Sequence, residues 1–97
     1  MNYRLHPDAE VDLREAAEFY RKRAGNELAL TFIAEFEYSV SLLLDHPTLG
    51  AAWRNGRRRF VMRRFPYALI YDSVDQEIRI LAVAHHSRRP GYWQNRN

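Results

Sequence analysis

Apolar and polar positions change period once along this chain, near residue 47. Before that point apolar residues recur at helical spacing; beyond it they alternate or run together in strand-length segments. At the start, Tyr3 and Leu5 alternate with Asn2, Arg4 and His6, which predicts a short strand. Pro7 suits the first turn of a following helix, where its missing N–H would have no partner, and Asp8 and Glu10 bring negative charge to the helix's positive end. Ala9, Leu13, Ala16, Ala17, Tyr20 and Ala24 form the apolar stripe of that helix, and Gly25 stops it. Asn26 is expected to cap a second helix whose stripe runs Ala29, Phe32, Ile33, Phe36, Val40, Leu43 and Leu44. It ends near His46, because Pro47 disfavours helical geometry in the residue before it. Two facing stripes predict a helical hairpin whose aromatic residues serve as core.

In the second half, Thr48 to Gly56 reads as a loop and Arg58 to Phe65 as a strand-like stretch. Pro66 breaks it, having no N–H to give a ladder. Tyr67 to Asp72 predicts another strand and Ser73 to Gln76 a turn. A last strand follows in which Ile78, Ile80, Ala82 and Ala84 alternate with Arg79, Leu81, Val83 and His85. The unbroken apolar run from Ile80 to Ala84 makes this strand central and covered on both faces. The closing "SRRPGYWQNRN" reads as a loop. The order β-α-α-β-β-β predicts an α+β fold, an N-terminal strand and a helical hairpin packed on a small, mostly antiparallel sheet. Strict alternation puts Phe60 and Met62 on one face with Arg58 and Arg64, and Val61 and Phe65 on the other with Arg59 and Arg63.

Ninety-seven residues with 46% hydrophobic content suit a single domain, residues 1–97, and neither a linker nor a repeat divides them. The absence of cysteine excludes a disulfide framework or a thiolate metal site, and it fits a reducing cytoplasm. A charged start and short apolar runs predict neither a membrane span nor a targeting segment. His85 and His86, adjacent on a strand, point to opposite faces and are not expected to share a metal ion; no cofactor is expected. His6 and His46 read as surface or cap residues.

Charge changes the picture more. Residues 1–46 carry five basic side chains against nine acidic ones, a balance of −4, and residues 47–97 carry ten arginines against three acids, a balance of +7. Fourteen of the fifteen basic residues are Arg, whose planar fork grips carboxylates and phosphates through two hydrogen bonds at once. The densest stretch, "RRRFVMRRFPY" at residues 57–67, threads five arginines between apolar residues.

Four segments together resemble the RelE/ParE superfamily of bacterial toxins: "YRLHPDAEVDLREAAEFY", "DHPTLG", "RRFVMRRFPYALIYD" and "IRILAVAHHSRRPGYW". The likeness covers nearly the whole chain. It implies the toxin of a type II toxin-antitoxin module, held in a hetero-oligomer by a cognate antitoxin protein whose flexible segment wraps it. The superfamily divides into RelE-like mRNA endonucleases that act on the ribosome and ParE-like proteins that bind DNA gyrase without bond chemistry of their own. Nuclease members carry a cation immediately after the aromatic that opens the penultimate strand. Here that aromatic is Tyr67 and the next residue is Ala68. Losing such a contact costs a factor of about 100 to 1,000 in rate, although Arg59 or Arg63 could compensate from the neighbouring strand. The Phe65-Pro66-Tyr67 junction also resembles the ParE-like branch, which is the reading favoured here.

A RelE-like reading would make His85, Arg88 and Tyr92 catalytic, since imidazole titrates near neutrality as proton transfer requires. The alternative is that Tyr92 and Trp93 fold back as a lid on the sheet edge, with His85 at a strand end. A ParE-like reading gives a partner-binding set of Arg57, Arg58, Arg59, Arg63, Arg64, Arg79, Arg88, Arg89 and Trp93. These guanidinium groups are expected to gather on one exposed side, opposite the helical hairpin.

Overall fold

The computed structural model describes all 97 residues. The chain forms β1 (Asn2–Leu5), α1 (Pro7–Ala24), α2 (Asn26–Asp45), β2 (Ala51–Ala52), β3 (Arg58–Val61), β4 (Tyr67–Val74) and β5 (Glu77–His85). The sheet order is β1-β5-β4-β3-β2, with β1 parallel to β5 and every other pair antiparallel. This is the expected α+β arrangement with one addition. The two-residue β2 lies within the segment expected to be a loop, too short to leave a period in the sequence.

Both helices begin and end for local reasons. His6 caps α1, its Nδ1 accepting from the Asp8 N–H at 3.0 Å, and Asp8 and Glu10 in the first turn and Arg21, Lys22 and Arg23 in the last complement the helix dipole. Asn26, expected as the cap of α2, is instead its first helical residue. Gly25 alone separates the helices, at φ 93 and ψ 178, a backbone region in which glycine has essentially no competitor. One residue reverses the chain because it can reach that region.

The hairpin covers one face of the sheet. Phe32, Phe36, Val40 and Leu43 from α2 and Ala9 and Ala16 from α1 pack with Leu69, Tyr71, Ile78 and Ile80. Each large aliphatic or aromatic side chain fully buried this way contributes about 1.5–3 kcal/mol. Tyr20, Phe32, Phe65 and Tyr67 meet mostly edge to face, with centroids 5.0–6.3 Å apart. The Phe65-Pro66-Tyr67 motif therefore serves the core. Strand β3 ends at Val61, and the turn that follows sends both Met62 and Phe65 to the helical side, against the strict alternation expected for 58–65.

A bulge in β5 overturns the parity expected for that strand. Ile70 pairs with Ala82 and Tyr71 with Ile80, leaving Leu81 as an extra residue. Ile78, Ile80 and Val83 thus face the helices, whereas Ala82 and Ala84 face the opposite side with Ile70. Those alanines leave a shallow trough on the second face, and Trp93, 3% exposed, fills it. Tyr92 and Trp93 do fold back on the sheet, over its face rather than its edge. No helix is long and apolar enough to cross a membrane.

Two buried tyrosine and glycine positions explain "DHPTLG". The Tyr71 hydroxyl donates to the Pro47 carbonyl at 2.8 Å and accepts from the Gly50 N–H at 2.9 Å. A Cβ at Gly50 would lie 2.8 Å from that ring, so only glycine lets the loop close over it.

Replacing Gly25 by Ala creates no clash, since nothing lies within 4 Å of the added Cβ, but it forces an L-residue into a glycine-only region. We expect a loss of about 1–3 kcal/mol. Thermal unfolding should register it as a fall of about 4–8 °C per kcal/mol.

Candidate functional site

The tail is fixed by two charged residues, neither exposed. Arg57, 7% exposed, donates to the carbonyls of Trp93 (3.5 Å), Gln94 (2.9 Å) and Arg96 (2.5 Å). Asp12, on the inner face of α1, receives Arg96 at 2.6 Å, the Val83 N–H at 3.1 Å and the Tyr92 hydroxyl at 3.3 Å. Arg96 also donates to the Leu81 carbonyl at 3.0 Å. Strand β1 pairs with β5 only as far as Ile80, so this ion pair satisfies the polar backbone of β5 beyond the bulge on the side away from β4, where no strand lies alongside.

The arginines of the expected binding set divide sharply. Arg57 is internal, and Arg58 donates to the carbonyls of Thr48 (3.3 Å) and Gly50 (2.8 Å), closing the loop over Tyr71. Arg63 grips Glu35 of α2 through two bonds of 2.9 and 3.2 Å and stacks over Tyr38 at 4.0 Å, while Arg64 reaches the same carboxylate at 3.6 Å. Arg79 is held by Asp72 across the β4–β5 ladder at 2.8 and 2.6 Å. The expectation that all of them form one exposed face is corrected: five of the eight arginines hold the chain's own carboxylates or carbonyls. The physical reason is that partly buried carboxylates on α2 and β4 need partners, and the guanidinium forks of the sheet are within reach.

The side chains of Arg59, Arg88 and Arg89 make neither hydrogen bond nor ion pair within the protein. They line one cleft of about 70 Å³ with Trp53, His86 and Trp93. No acidic residue lines it. Arg88 stacks over Tyr92 at 3.9 Å, and Trp53 meets Trp93 edge to face at 5.7 Å. This cleft is the candidate site. It opens on the tail side of the sheet, beside the one surface that the helices leave uncovered.

His85, Arg88 and Tyr92 all border this cleft, but the His85 Nδ1 is taken by Ser87 and the Tyr92 hydroxyl by Asp12. The His85 Nδ1 accepts from the Ser87 N–H at 2.9 Å, and its ring stands edge-on to Tyr67 at 4.9 Å. Burial first, and then the charge of Asp12, pushes the Tyr92 phenol up to about 12. Tyr67 is likewise pushed up to about 12 by burial and by the neighbouring Tyr20 and Tyr92. Both phenols stay neutral at pH 7, far from the poise that general acid-base catalysis favours. Ala68, where nuclease members have a cation, is 1% exposed and pairs with Ala84 beneath the tail; a long charged chain would not fit there while the tail is docked.

A second hollow of about 410 Å³ lies on the helical side, between Ala16 and Phe19 of α1 and Tyr67, Val83 and His85 of the sheet. Phe19 remains 45% exposed at its rim.

Four residues of structural or surface importance escaped the sequence reading: Asp12, Glu35, Arg96 and Trp53. The first two carried a signal. Asp12 falls three after Ala9 and four before Ala16, and Glu35 falls three after Phe32 and four before Ser39, so both acids sit on buried stripes. Arg96 and Trp53 stand in irregular segments, where spacing says nothing about contacts.

An α+β fold with an internally latched tail is the class that these features define. The model of the ParE toxin of type II toxin-antitoxin system, parDE, matches residues 3–90. The chain belongs to that family. A chain from the chromosomal ParDE TA system from P. aeruginosa superposes with a TM-score of 0.77 at 24% identity, over 88% of this chain and 95% of that one. At that identity the likeness is one of fold. A search of curated proteins found no match.

Two outcomes test the internal links. Arg57→Ala should free the tail, lowering stability by about 1.5–3 kcal/mol for the lost charged hydrogen bonds. In a Trp53→Phe background, red-shifted Trp93 emission and faster proteolysis beyond residue 88 report it. Glu35 is held below the usual carboxylate range by its hydrogen bonds from Arg63, against the opposing effect of its burial, with the charges of Arg63 and Arg64 assisting. A folded-state value below the unfolded one adds stability in full above about pH 4.3, and this is lost as pH falls through the folded value. Urea midpoints at neutral pH and near pH 3 should therefore differ less in Glu35→Gln than in the parent.

Proposed function

We propose that this chain is the toxin of a cytoplasmic toxin-antitoxin pair, that it arrests growth by binding DNA gyrase, and that a cognate antitoxin silences it in a hetero-oligomer. Membership of the ParE toxin family supports the toxin and antitoxin parts of this reading. The observation that carries the choice of gyrase over mRNA cleavage is the state of Tyr92. Its hydroxyl is engaged by Asp12 and its ring lies under Arg88, so the terminal tyrosine is a structural member of the latch. A binding toxin needs only a complementary surface. Arg59, Arg88 and Arg89 with the exposed rim of Trp53 supply one, and they are the sheet-side members of the expected set that remain free for a partner, with Trp93 acting from beneath.

Induction without antitoxin tests this reading through two measurements: gyrase supercoiling with accumulation of cleaved DNA, and cleavage of mRNA on ribosomes. The expected outcome is stalled gyrase with intact mRNA, and His85→Ala should keep its toxicity. A nuclease would instead lose about 100- to 10,000-fold of its activity from that change, and cut mRNA with unaffected gyrase would refute the proposal.

A further inference from the structure

We infer that the cleft between Trp53, Arg59 and the 86–89 turn is a phosphodiester site that grips the backbone of duplex DNA. The inference deepens the gyrase reading and rests on it for where that DNA is met; the chemistry of the cleft is argued independently. The molecule itself supplies the comparison. Each carboxylate that binds a guanidinium fork here takes up most of one arginine: Glu35 takes both bonds of Arg63, and Asp72 both bonds of Arg79. The cleft gathers three guanidinium groups with no carboxylate among its lining residues.

Arg59 is the most informative of them. It is half-buried on β3, directly opposite Ile70 in the ladder, yet its guanidinium donates to nothing in the protein. No fully buried side-chain nitrogen in the molecule lacks a partner, so the free N–H groups of Arg59, which lines the cleft, are open to solvent. A partly desolvated fork without a counter-charge is stabilised by an incoming anion. Stacking on Tyr92 holds Arg88 at the rim, so less side-chain freedom is lost when it closes on a ligand.

Geometry favours a phosphate chain over an acidic peptide. About 70 Å³ admits a phosphate group and no base, so bases would have to lie outside. Trp53, 36% exposed at the rim, offers them or their sugars an apolar face. A run of carboxylates would answer the charge and leave that indole unmatched. Repeated phosphates also meet several arginines at once, as contacts to nucleic-acid backbone commonly do.

Fluorescence anisotropy of the full-length chain with a labelled 12-base-pair duplex, over a series of KCl concentrations, tests this. Binding should weaken steeply with salt, and Arg59→Gln or Arg88→Gln should each reduce the slope of log Kd against log salt by about one. Arg14→Gln removes the same charge from the outer face of α1 and should leave both slope and affinity unchanged. Neither the Arg59 nor the Arg88 side chain makes an internal hydrogen bond, so the variants should melt with the parent. Equal losses from Arg14→Gln would reduce the effect to net charge and overturn the inference. So would displacement of the duplex by deca-glutamate at equal or lower concentration. Gyrase stalled by a chain that binds no duplex sinks this inference alone, whereas duplex binding lost in the two variants with gyrase unaffected sinks the gyrase reading alone.

Discussion

The carboxylate of Asp12 is the point through which three parts of the fold are joined. It sits on α1, takes the backbone of β5 through Val83, and holds the tail through Arg96 and Tyr92. A buried ion pair is a weak source of net stability, because both charges must leave water. Its effect here is positional. Strand β1 stops at Leu5 because Pro7 begins a helix, and the central strand would otherwise keep unpaired polar groups against α1. A carboxylate and a guanidinium stand where two more residues of strand would have been.

That arrangement accounts for the chain's uneven charge. An excess of arginine in residues 47–97 and of acid in residues 1–46 looks like a bipolar surface. Much of it is instead internal stitching between the halves: Arg96 to Asp12, Arg63 and Arg64 to Glu35. The use of Arg over Lys follows from the same geometry, since Arg57 reaches three carbonyls of the tail from one planar group. Of the expected binding set, the arginines left over after the stitching are Arg59, Arg88 and Arg89, and they fall together beside the tail.

Both helices and the two long strands, β4 and β5, were legible because apolar periods of 3.6 and 2 are imposed by burial over many residues. What was illegible was local. A single extra residue, Leu81, reverses the facing of Ala82 and Ala84, and no composition signal marks it. Strand β2 is two residues long and β3 four, so the parity of 58–65 was extended past the true strand end. For the site, the residue types were visible and their partners were not. Whether an arginine is free depends on which carboxylate or carbonyl lies across the fold, and contacts as distant as Arg57 with Arg96 leave no trace in spacing.

The parallel pairing of β1 with β5 sets the order in which the molecule can be completed. Residues 2–5 are made first, yet the ladder they join lies at residues 77–80. Until the ribosome has released most of the polypeptide, the opening segment has no edge to dock on, and the helices have no sheet to cover. Such distant pairing makes for slow folding and long exposure of apolar stripes. A message cut short before codon 77 therefore yields a chain unable to assemble its own scaffold, so any harm this protein does must await nearly full translation.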